Sequence, residues 1–272
     1  MGKWAEGLFG RDSFGEVGIV ISGSSTQEFE KKVLNLFDRV QFSKDSVYHA
    51  HLTEKDGNFY PIVFNVYGAP AMVDVLTKMH DGGCNNVVFI GHAYGGFKNL
   101  DIGRIILPLK SYHFDGIYHL IEPDREFSIP DDILKNKIKQ LFNKNGVSYT
   151  EGVNISVPAV TLQIPHENQY YKEIKPDTVE MELAACFSRS KDIGVRAIGV
   201  LIISDNRDFS ISSKEKYQLR EPSKMKVIEL VIDNIESFNL KSLSTGNKFS
   251  VNEYLAKIIE NPNDSSNVYK KK

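Results

Sequence analysis

The 272-residue sequence lacks the features that mark membrane, secreted and nucleic-acid-binding proteins. No apolar run approaches the roughly 18 residues that a membrane-spanning helix requires, and the first residues lack the apolar core of a secretion signal. The sequence has 33 basic and 35 acidic residues, so the formal net charge is −2. It therefore lacks the basic excess that is typical of proteins that bind nucleic acid or anionic membranes. These absences predict a cytoplasmic protein that binds neither nucleic acid nor membranes.

Cysteine is also scarce. Cys84 and Cys186 have neither the density of a disulfide scaffold nor the spacing of metal ligands, so we expect two free thiols in a reducing compartment. Cys186 falls on the side of a predicted helix that faces the core. Histidines, cysteines and carboxylates do not cluster with ligand spacing, and the sequence therefore predicts no metal and no organic cofactor.

The sequence does contain alternating apolar strand patterns and amphipathic helix patterns. Strands are predicted at residues 16–22, 46–53, 58–68, 85–96, 103–108, 116–121, 147–150, 153–158 and 195–204, and the second and third form a hairpin. Helices are predicted at residues 23–37, 70–83, 131–146, 177–192, 223–238 and 251–259. Ser25 and Glu28 have the S-x-x-E spacing of a capping box at the start of the first of these helices.

Neither a repeat nor a low-complexity linker interrupts this alternation. The pattern predicts a single α/β domain over residues 1–262, with a central mixed, mostly parallel sheet flanked by helices, followed by a polar, flexible tail at 263–272. Ligands bind beyond the carboxyl ends of strands in such sheets. The turns "SGSS" at 22–25, "GHAYGG" at 91–96 and "SDNRD" at 204–208 are therefore expected on one rim.

Several motifs occur in an order that resembles the nucleoside phosphorylase and nucleosidase superfamily. They are the glycine turn at 22–25, "VYGAP" at 66–70, "FIGHAYGG" at 89–96 with "DIGRIILP" after it, "VEMELAA" at 179–185 and "ISDN" at 203–206. The similar branch contains hexameric purine nucleoside phosphorylases, uridine phosphorylases and methylthioadenosine nucleosidases. The resemblance implies a homo-oligomer, dimer to hexamer, that cleaves the N-ribosidic bond of a nucleoside with phosphate as co-substrate.

Breaking a ribosidic bond requires a group that holds the sugar and a group that protonates the departing base. The carboxylate of Glu182 can accept hydrogen bonds from adjacent ribose hydroxyls and favour the positive charge that develops on the sugar. The resemblance assigns Glu182 this role, with Met181 packed beneath the sugar and Glu180 supporting the loop. Without the resemblance, an acidic first helical turn that complements the helix dipole is the simpler interpretation.

Asp205 directly follows an apolar strand, where partial desolvation would raise its affinity for a proton. The resemblance implies that Asp205 donates to the imidazole-ring nitrogen of a purine; uridine phosphorylases do not keep this residue, so purine is favoured. The alternative is a turn-forming or helix-capping aspartate. Asn206 is a candidate to present its amide to the base, and Arg220 is the nearest downstream candidate to pair with Asp205.

The remaining substrate-binding candidates follow from the motifs: Gly68, Gly91, His92, Ala93 and Val160. Val160 or a neighbour stands where purine-cleaving relatives carry a base-stacking aromatic, and Tyr170 and Tyr171 are nearby alternatives.

The sequence departs from the family at the phosphate site. Gln27 and Phe89 stand at the approximate positions where phosphorylases carry arginines. Candidate replacements, by backbone donors or charge, are Gly23, Ser24, Ser25, His92 and Arg104. His92 alone is otherwise interpreted as a local hydrogen-bonding residue. The family's amino-terminal histidine has no counterpart, because no histidine precedes His49.

Two alternatives stay open because of these departures. One is hydrolysis, with water as the acceptor. The other is a non-catalytic nucleoside-binding or scaffold protein. The presence of both Glu182 and Asp205 favours an enzyme.

Overall fold

A computed structural model describes residues 3–23, 25–45, 47–95, 98–118, 122–162, 169–208, 210–241 and 243. The helices are α1 Lys3–Phe9, α2 Gln27–Leu34, α3 Gly68–Asp81, α4 Asp132–Lys144, α5 Gln169–Ile174, α6 Leu183–Asp192 and α7 Ser213–Asp233. The strands are β1 Val17–Ser22, β2 Arg39–Asp45, β3 His49–Lys55, β4 Asn58–Val66, β5 Asn86–Tyr94, β6 Ile105–His113, β7 Phe127–Ser128, β8 Thr150–Ser156, β9 Thr178–Glu180 and β10 Arg196–Asp205. Within these ranges, every helix is too short or too polar to cross a membrane.

The strands form one mixed sheet, as predicted. Strand β1 lies between β4 and β5 and runs parallel to both, and β5 runs parallel to β10 on its other side. From β10 the pairing continues through β6, β8 and β9 and returns from β9 to β5. Strands β5, β10, β6, β8 and β9 therefore close into a ring, which the chain order alone does not predict.

Helices cover both faces of the sheet. On one face, α2, α4 and α7 bury apolar side chains such as Phe29, Leu134 and Val227 against the strands. On the other face, α1, α3 and α6 do the same with Phe9, Met72 and others. Strand β1 serves both layers because successive side chains of a strand point to opposite faces. The flanked α/β architecture predicted from the sequence is confirmed.

Two predicted helix starts are wrong. Helix α2 is capped by Thr26, whose hydroxyl accepts a hydrogen bond from the N–H of Phe29, rather than by Ser25 in a capping box with Glu28. Helix α7 begins at Ser213 instead of residue 223, and Ser212 caps it in a capping box with Glu215. The helix continues through Pro222, although proline disfavours helix in the residue before it.

Other predicted elements also change. The helix predicted at 177–192 divides into strand β9 and helix α6, while the two strands predicted at 147–150 and 153–158 contribute to the single strand β8. Ile117 and Tyr118, the described apolar part of the strand predicted at 116–121, are helical. The short helix α1 and the largely exposed strand β2 were missed, since neither shows a strong apolar period. The helix predicted at 251–259, the domain boundary at 262 and the tail at 263–272 lie outside the described residues.

Candidate functional site

A cavity of about 210 Å³ opens at the carboxyl ends of β1, β5 and β10, on the predicted rim. Its wall includes Gly23, His92, Glu182 and Asp205, and we call it the rim cavity. The three turns predicted to meet at one edge of the sheet each contribute to this wall.

Glu180 is the most completely hydrogen-bonded carboxylate near the cavity. It is 1% exposed and ends strand β9. Its Oε1 accepts from Asn154 Nδ2 at 2.7 Å and from the Ser156 hydroxyl. Its Oε2 accepts from the backbone N–H groups of Glu182 and Leu183, both at 2.7 Å. Burial raises the pKa of Glu180, whereas the four donors act in the opposite direction by favouring its charged form. The same four hydrogen bonds fix the backbone at the start of α6.

Glu182 lies at the N-cap of α6 and is 5% exposed. Its Oε1 accepts from the N–H of Gly68 at 2.6 Å. Gly68 begins α3 with φ +77°, a left-handed conformation that glycine adopts without strain. Burial raises the pKa of Glu182 well above its usual value, and the neighbouring Glu180 raises it further. Because Glu180 has the donors, Glu182 is the member of the pair that takes up a proton first as the pH falls.

Apolar and aromatic side chains complete this part of the wall. Met181, Tyr67, Tyr94 and Val160 line the cavity. Val160 belongs to a short 3-10 helix, Val160–Leu162, and is 52% exposed. Tyr67 and Tyr94 are thus the tyrosines on the described cavity wall, whereas the sequence had suggested Tyr170 and Tyr171.

The tyrosines named as alternatives do not take that place. Tyr171 is buried and stacks on Phe114 with ring centroids 6.0 Å apart. Burial raises the pKa of Tyr171 to about 12. The side chain of Tyr170 lies outside what the structure describes.

Asp205 reaches the cavity from the end of β10, but its side chain is 53% exposed rather than desolvated as expected. Its Oδ1 lies 2.6 Å from Lys216 Nζ and also accepts the N–H of Asn206 at 2.8 Å. The predicted partner, Arg220, is one helical turn beyond Lys216 on α7. The positive charge next to Asp205 therefore comes from a lysine that the sequence analysis did not single out.

The amide of Asn206 is used within its own loop. Its Nδ2 donates to the carbonyl of Leu100 at 3.0 Å, and its Oδ1 accepts from the N–H of Asp208 at 3.0 Å. Asn206 thus holds the loop after β10, and its contact with a base stays a prediction.

Positively charged side chains approach the cavity from α7. Arg220 lines the wall, and Lys224 is buried behind it, 1% exposed. Burial lowers the pKa of Lys224 to about 8. Burial also lowers the pKa of His92 well below its usual value, and the charges of Lys224 and Arg220 lower it further. His92 is therefore neutral in this surrounding.

The other phosphate candidates are dispersed. Arg104 lines a separate cavity of about 400 Å³, and its Nη2 pairs with Asp101 at 3.0 Å. The backbone N–H of Ser25 donates to Asn65 Oδ1 at 2.8 Å, and Ser24 lies outside the described residues. Arg104 is thus displaced from the rim cavity, contrary to expectation.

The residues at the two positions where arginines were expected do not line the rim cavity. Gln27 is exposed at the start of α2, and Phe89 is fully buried in the core. Gly91 lies beside Phe89, and a Cβ there would come within 2.6 Å of the Phe89 ring and of the Ser22 hydroxyl. Gly91 therefore allows close packing beneath the rim. Ala93, by contrast, lines the cavity as predicted.

Within the described ranges, histidine, cysteine and carboxylate side chains form no group of three or more that could hold a metal ion. Both cysteines are free and buried, in agreement with the sequence analysis.

A family model described as the phosphorylase superfamily matches residues 19–234. The chain belongs to the phosphorylase superfamily. The match extends across the rim turns, the E-M-E segment and all of α7, and it confirms both the family and the enzyme class predicted from the motifs.

Solved structures share the superfamily fold at low sequence identity. The 5′-methylthioadenosine/S-adenosyl homocysteine nucleosidase of Campylobacter jejuni superposes with a TM-score of 0.69 at 12% identity, covering 82% of this chain and 100% of that chain. The purine nucleoside phosphorylase of Toxoplasma gondii gives 0.68 at 14% identity, with coverages of 83% and 93%. Futalosine hydrolase of Helicobacter pylori gives 0.66 at 20% identity, with coverages of 82% and 98%. At these identities the likeness concerns the fold.

In this phosphorylase superfamily member, sequence reasoning missed several wall residues. Tyr67 and Tyr94 lie inside the quoted motifs "VYGAP" and "FIGHAYGG". Their position next to the glycines of these motifs could have indicated that they line the cavity. Ser22 ends β1 and Ser204 is the last residue but one of β10, the strands whose turns were predicted on the rim. No local pattern indicated Lys216, because its contact with Asp205 depends on where α7 packs.

Proposed function

We propose that this phosphorylase superfamily member cleaves the N-ribosidic bond of a nucleoside, with purine nucleosides favoured and phosphate as the acceptor. One observation carries the proposal: the E-M-E segment places the buried carboxyl of Glu182 on the cavity wall, beside a fully hydrogen-bonded Glu180. A helix-dipole role does not account for this placement, since Glu182 points to Gly68 and the cavity rather than to solvent.

Glu182 is assigned to the ribose. Its two carboxylate oxygens match two adjacent hydroxyls, and the charge of the carboxylate favours the cationic character that the sugar acquires as the C1′–N bond breaks. Met181 packs against the sugar, and Gly68 fixes the orientation of the carboxyl through its N–H. Glu180 is a positioning residue, because its donors lie in the protein rather than on the substrate.

Asp205 is assigned as the general acid. The electron pair of the C1′–N bond passes to the base, and a proton from Asp205 reaches the imidazole-ring nitrogen of a purine. The carboxylate left behind is stabilised by Lys216, whose Nζ lies 2.6 Å away. This assignment supports the purine preference.

Hydrolysis is the second candidate, favoured by a specific observation. An exposed Gln27 and a buried Phe89 occupy the two positions where phosphate-binding arginines were expected. Neither residue carries a positive charge. Water would then attack C1′, and the sugar product would be ribose instead of ribose 1-phosphate.

Product analysis tests the function. Purified protein is incubated with purine, pyrimidine and 5′-modified purine nucleosides, with and without phosphate, and free base and sugar product are quantified by chromatography. We expect base release from a purine nucleoside. Binding without base release from any member of the panel would overturn the proposal and support the non-catalytic alternative. We further expect a homo-oligomer, dimer to hexamer, which light scattering on the same preparation measures.

A further inference from the structure

A second cavity, separate from the rim cavity, lies between the turn before β6, the connection that enters β8, and helix α7. Residues of the turn 101–104, of the segment 147–150 and of α7 line it. Its volume is about 400 Å³, against about 210 Å³ for the rim cavity. Gly103, with φ +85°, lets the turn pack directly against α7, because a Cβ there would lie 2.6 Å from the carbonyl oxygen of Leu219. The second cavity therefore has room for a small organic molecule.

The charge on the wall of the second cavity is positive. Two cations, Arg104 and Lys226, line it together with one carboxylate, Asp101. Arg104 Nη2 pairs with Asp101 at 3.0 Å, whereas Lys226 forms no ion pair within the described ranges. The next carboxylate along the chain from the segment 147–150 belongs to Glu151, which pairs with Lys139 at 3.1 Å. One positive charge thus remains available to an anion.

Hydroxyl groups accompany this charge. Ser148, Tyr149, Thr150 and Ser223 line the second cavity, and their hydroxyl groups make no hydrogen bond to other groups in the part of the chain that the structure describes. The ring of Tyr149 is fixed at the wall by Phe142, with the centroids 5.7 Å apart. The wall therefore offers one charged group and several hydroxyl groups that a polyhydroxylated anion can use.

A phosphate ester matches these groups better than a carboxylate does. The guanidinium of Arg104, the ammonium of Lys226 and the hydroxyl groups come from three separate segments of the chain. A tetrahedral oxyanion has acceptor oxygens in several directions, whereas those of a carboxylate lie in one plane. The rest of the volume and the hydroxyl groups suit the sugar of a sugar phosphate.

Two walls of the second cavity continue to Asp205. The N–H of Gly103 donates to the carbonyl of Ile203 at 2.8 Å, and the N–H of Ile203 donates to the carbonyl of Arg104 at 3.0 Å. Helix α7, which lines the second cavity, also carries Lys216, whose Nζ lies 2.6 Å from Asp205 Oδ1. A ligand that joins the turn 101–104 to α7 therefore acts on the two elements that hold the assigned general acid.

We propose that the second cavity is an effector site for a sugar phosphate. Lys226 and Arg104 bind the phosphate group, and the hydroxyl groups of the segment 147–150 and of Ser223 bind the sugar. A free sugar phosphate and a nucleoside monophosphate share this chemistry. The effect on turnover rests on the proposed function, whereas binding at the second cavity does not.

Binding is tested with ribose 5-phosphate and with adenosine 5′-monophosphate, each titrated in a calorimeter. Lys226→Gln removes the unpaired cation, and Lys214→Gln removes an exposed lysine from the same helix as the matched control. We expect Lys226→Gln to raise the Kd about tenfold or more, the effect of losing a charge-assisted hydrogen bond. Lys214→Gln should match the wild type. Ser148→Trp, which fills the cavity from an exposed position, should also abolish binding.

Turnover is the second measurement, made with and without the tighter of the two ligands. We expect the ligand to change the rate of base release from a purine nucleoside about fivefold. The rate with a nitrophenyl riboside should stay the same, because its leaving group needs no proton from Asp205. Lys226→Gln should keep the basal rate and lose the response to the ligand.

Three results would overturn parts of this proposal. The site is wrong if the wild type binds neither ligand, or if Lys226→Gln and Ser148→Trp, folded by circular dichroism, bind as the wild type does. The effector role is wrong if bound ligand leaves purine turnover unchanged. Action through Asp205 is wrong if both rates change equally. Absence of base release from every nucleoside would instead remove the proposed function, while binding that depends on Lys226 would still establish the site.

Discussion

Glu182 and Asp205, the two carboxyl groups assigned to the reaction, occupy opposite kinds of surroundings. Glu182 is 5% exposed and lies beside a glutamate that has four hydrogen-bond donors. Asp205 has a side chain that is 53% exposed, and it pairs with the ammonium group of Lys216. The carboxyl of Glu182 is thus enclosed by buried backbone and side-chain contacts, while that of Asp205 is held near solvent by one ion pair and the N–H of Asn206.

This difference has a functional meaning. A ribose presents the same hydroxyls in every nucleoside, so a rigid site for the sugar suits all substrates. Bases differ in size and in the position of their proton-accepting nitrogen, and a more open acid can adjust to them. We therefore expect substitutions at the sugar end to affect all substrates alike and substitutions at the acid end to discriminate among them.

The largest effect is expected at Glu182. Glu182→Gln should lower turnover of every nucleoside about a hundredfold to a thousandfold, because the charge that favours the cationic sugar is lost. Initial rates of base release measure the effect, with circular dichroism to verify the fold. Glu28→Gln, at an exposed position on α2, is the matched control and should keep the wild-type rate. Wild-type turnover by folded Glu182→Gln protein would remove the sugar-binding role.

A somewhat smaller and selective effect is expected at Asp205. Asp205→Asn should lower turnover of purine nucleosides about a hundredfold and spare a nitrophenyl riboside, whose leaving group departs without protonation. The ratio of the two rates in the same preparation is the measurement. Equal losses on both substrates would show that Asp205 is structural, and the contrast between the two ends of the cavity would disappear.

The pH dependence offers a finer comparison. Burial and Glu180 hold the pKa of Glu182 well above its usual value, so Glu182 is protonated at low pH and gains its charge as the pH rises. We expect kcat/KM to fall on the acid side as Glu182 takes up its proton. Glu180→Gln removes the neighbouring negative charge and should move this acid limb to lower pH. An unmoved limb in folded Glu180→Gln protein would contradict the coupling of the two glutamates.

The smallest expected effect is on stability. A carboxyl group whose pKa is raised in the folded state stabilises the fold below its unfolded pKa and loses that contribution as the pH rises through the folded value. Glu182→Gln should therefore have a higher Tm than the wild type at alkaline pH, by about 2–4 °C for each kcal/mol that the substitution adds to the free energy of unfolding. The difference should shrink at acid pH. Thermal unfolding at several pH values measures it. A lower Tm for Glu182→Gln at alkaline pH would show that Glu182 stabilises the fold.

Features that depend on local sequence were predictable. The continuous apolar runs of β1 and β10 identified buried strands, and the E-M-E and "SDN" segments located Glu182 and Asp205 at the rim. One local pattern was overlooked. The capping box of Ser212 and Glu215 marks the start of α7, but the helix was predicted only from residue 223 and was therefore too short.

Features that depend on contacts between distant segments were not predictable. Asn154 and Glu180 meet because β8 and β9 are neighbours in the sheet, and Lys216 meets Asp205 because α7 packs beside β10. Nothing in the sequence around Lys216 distinguishes it from Lys214 or other helix-surface lysines. The ring of five strands has the same origin, since its closure rests on the pairing of β9 with β5.

That ring also constrains how substrate preference can change. Strand β9 has three residues and is held on both sides, by β8 and by β5, so an insertion next to Glu180 would shift the register of a strand with no free edge. The turn Val160–Leu162 belongs to the connection that leaves the ring after Ser156 and returns to it at Thr178. Val160 faces the cavity from this connection and is half exposed. We therefore expect base selectivity to diverge through a few substitutions in that turn, while the geometry around Glu180 and Glu182 stays the same.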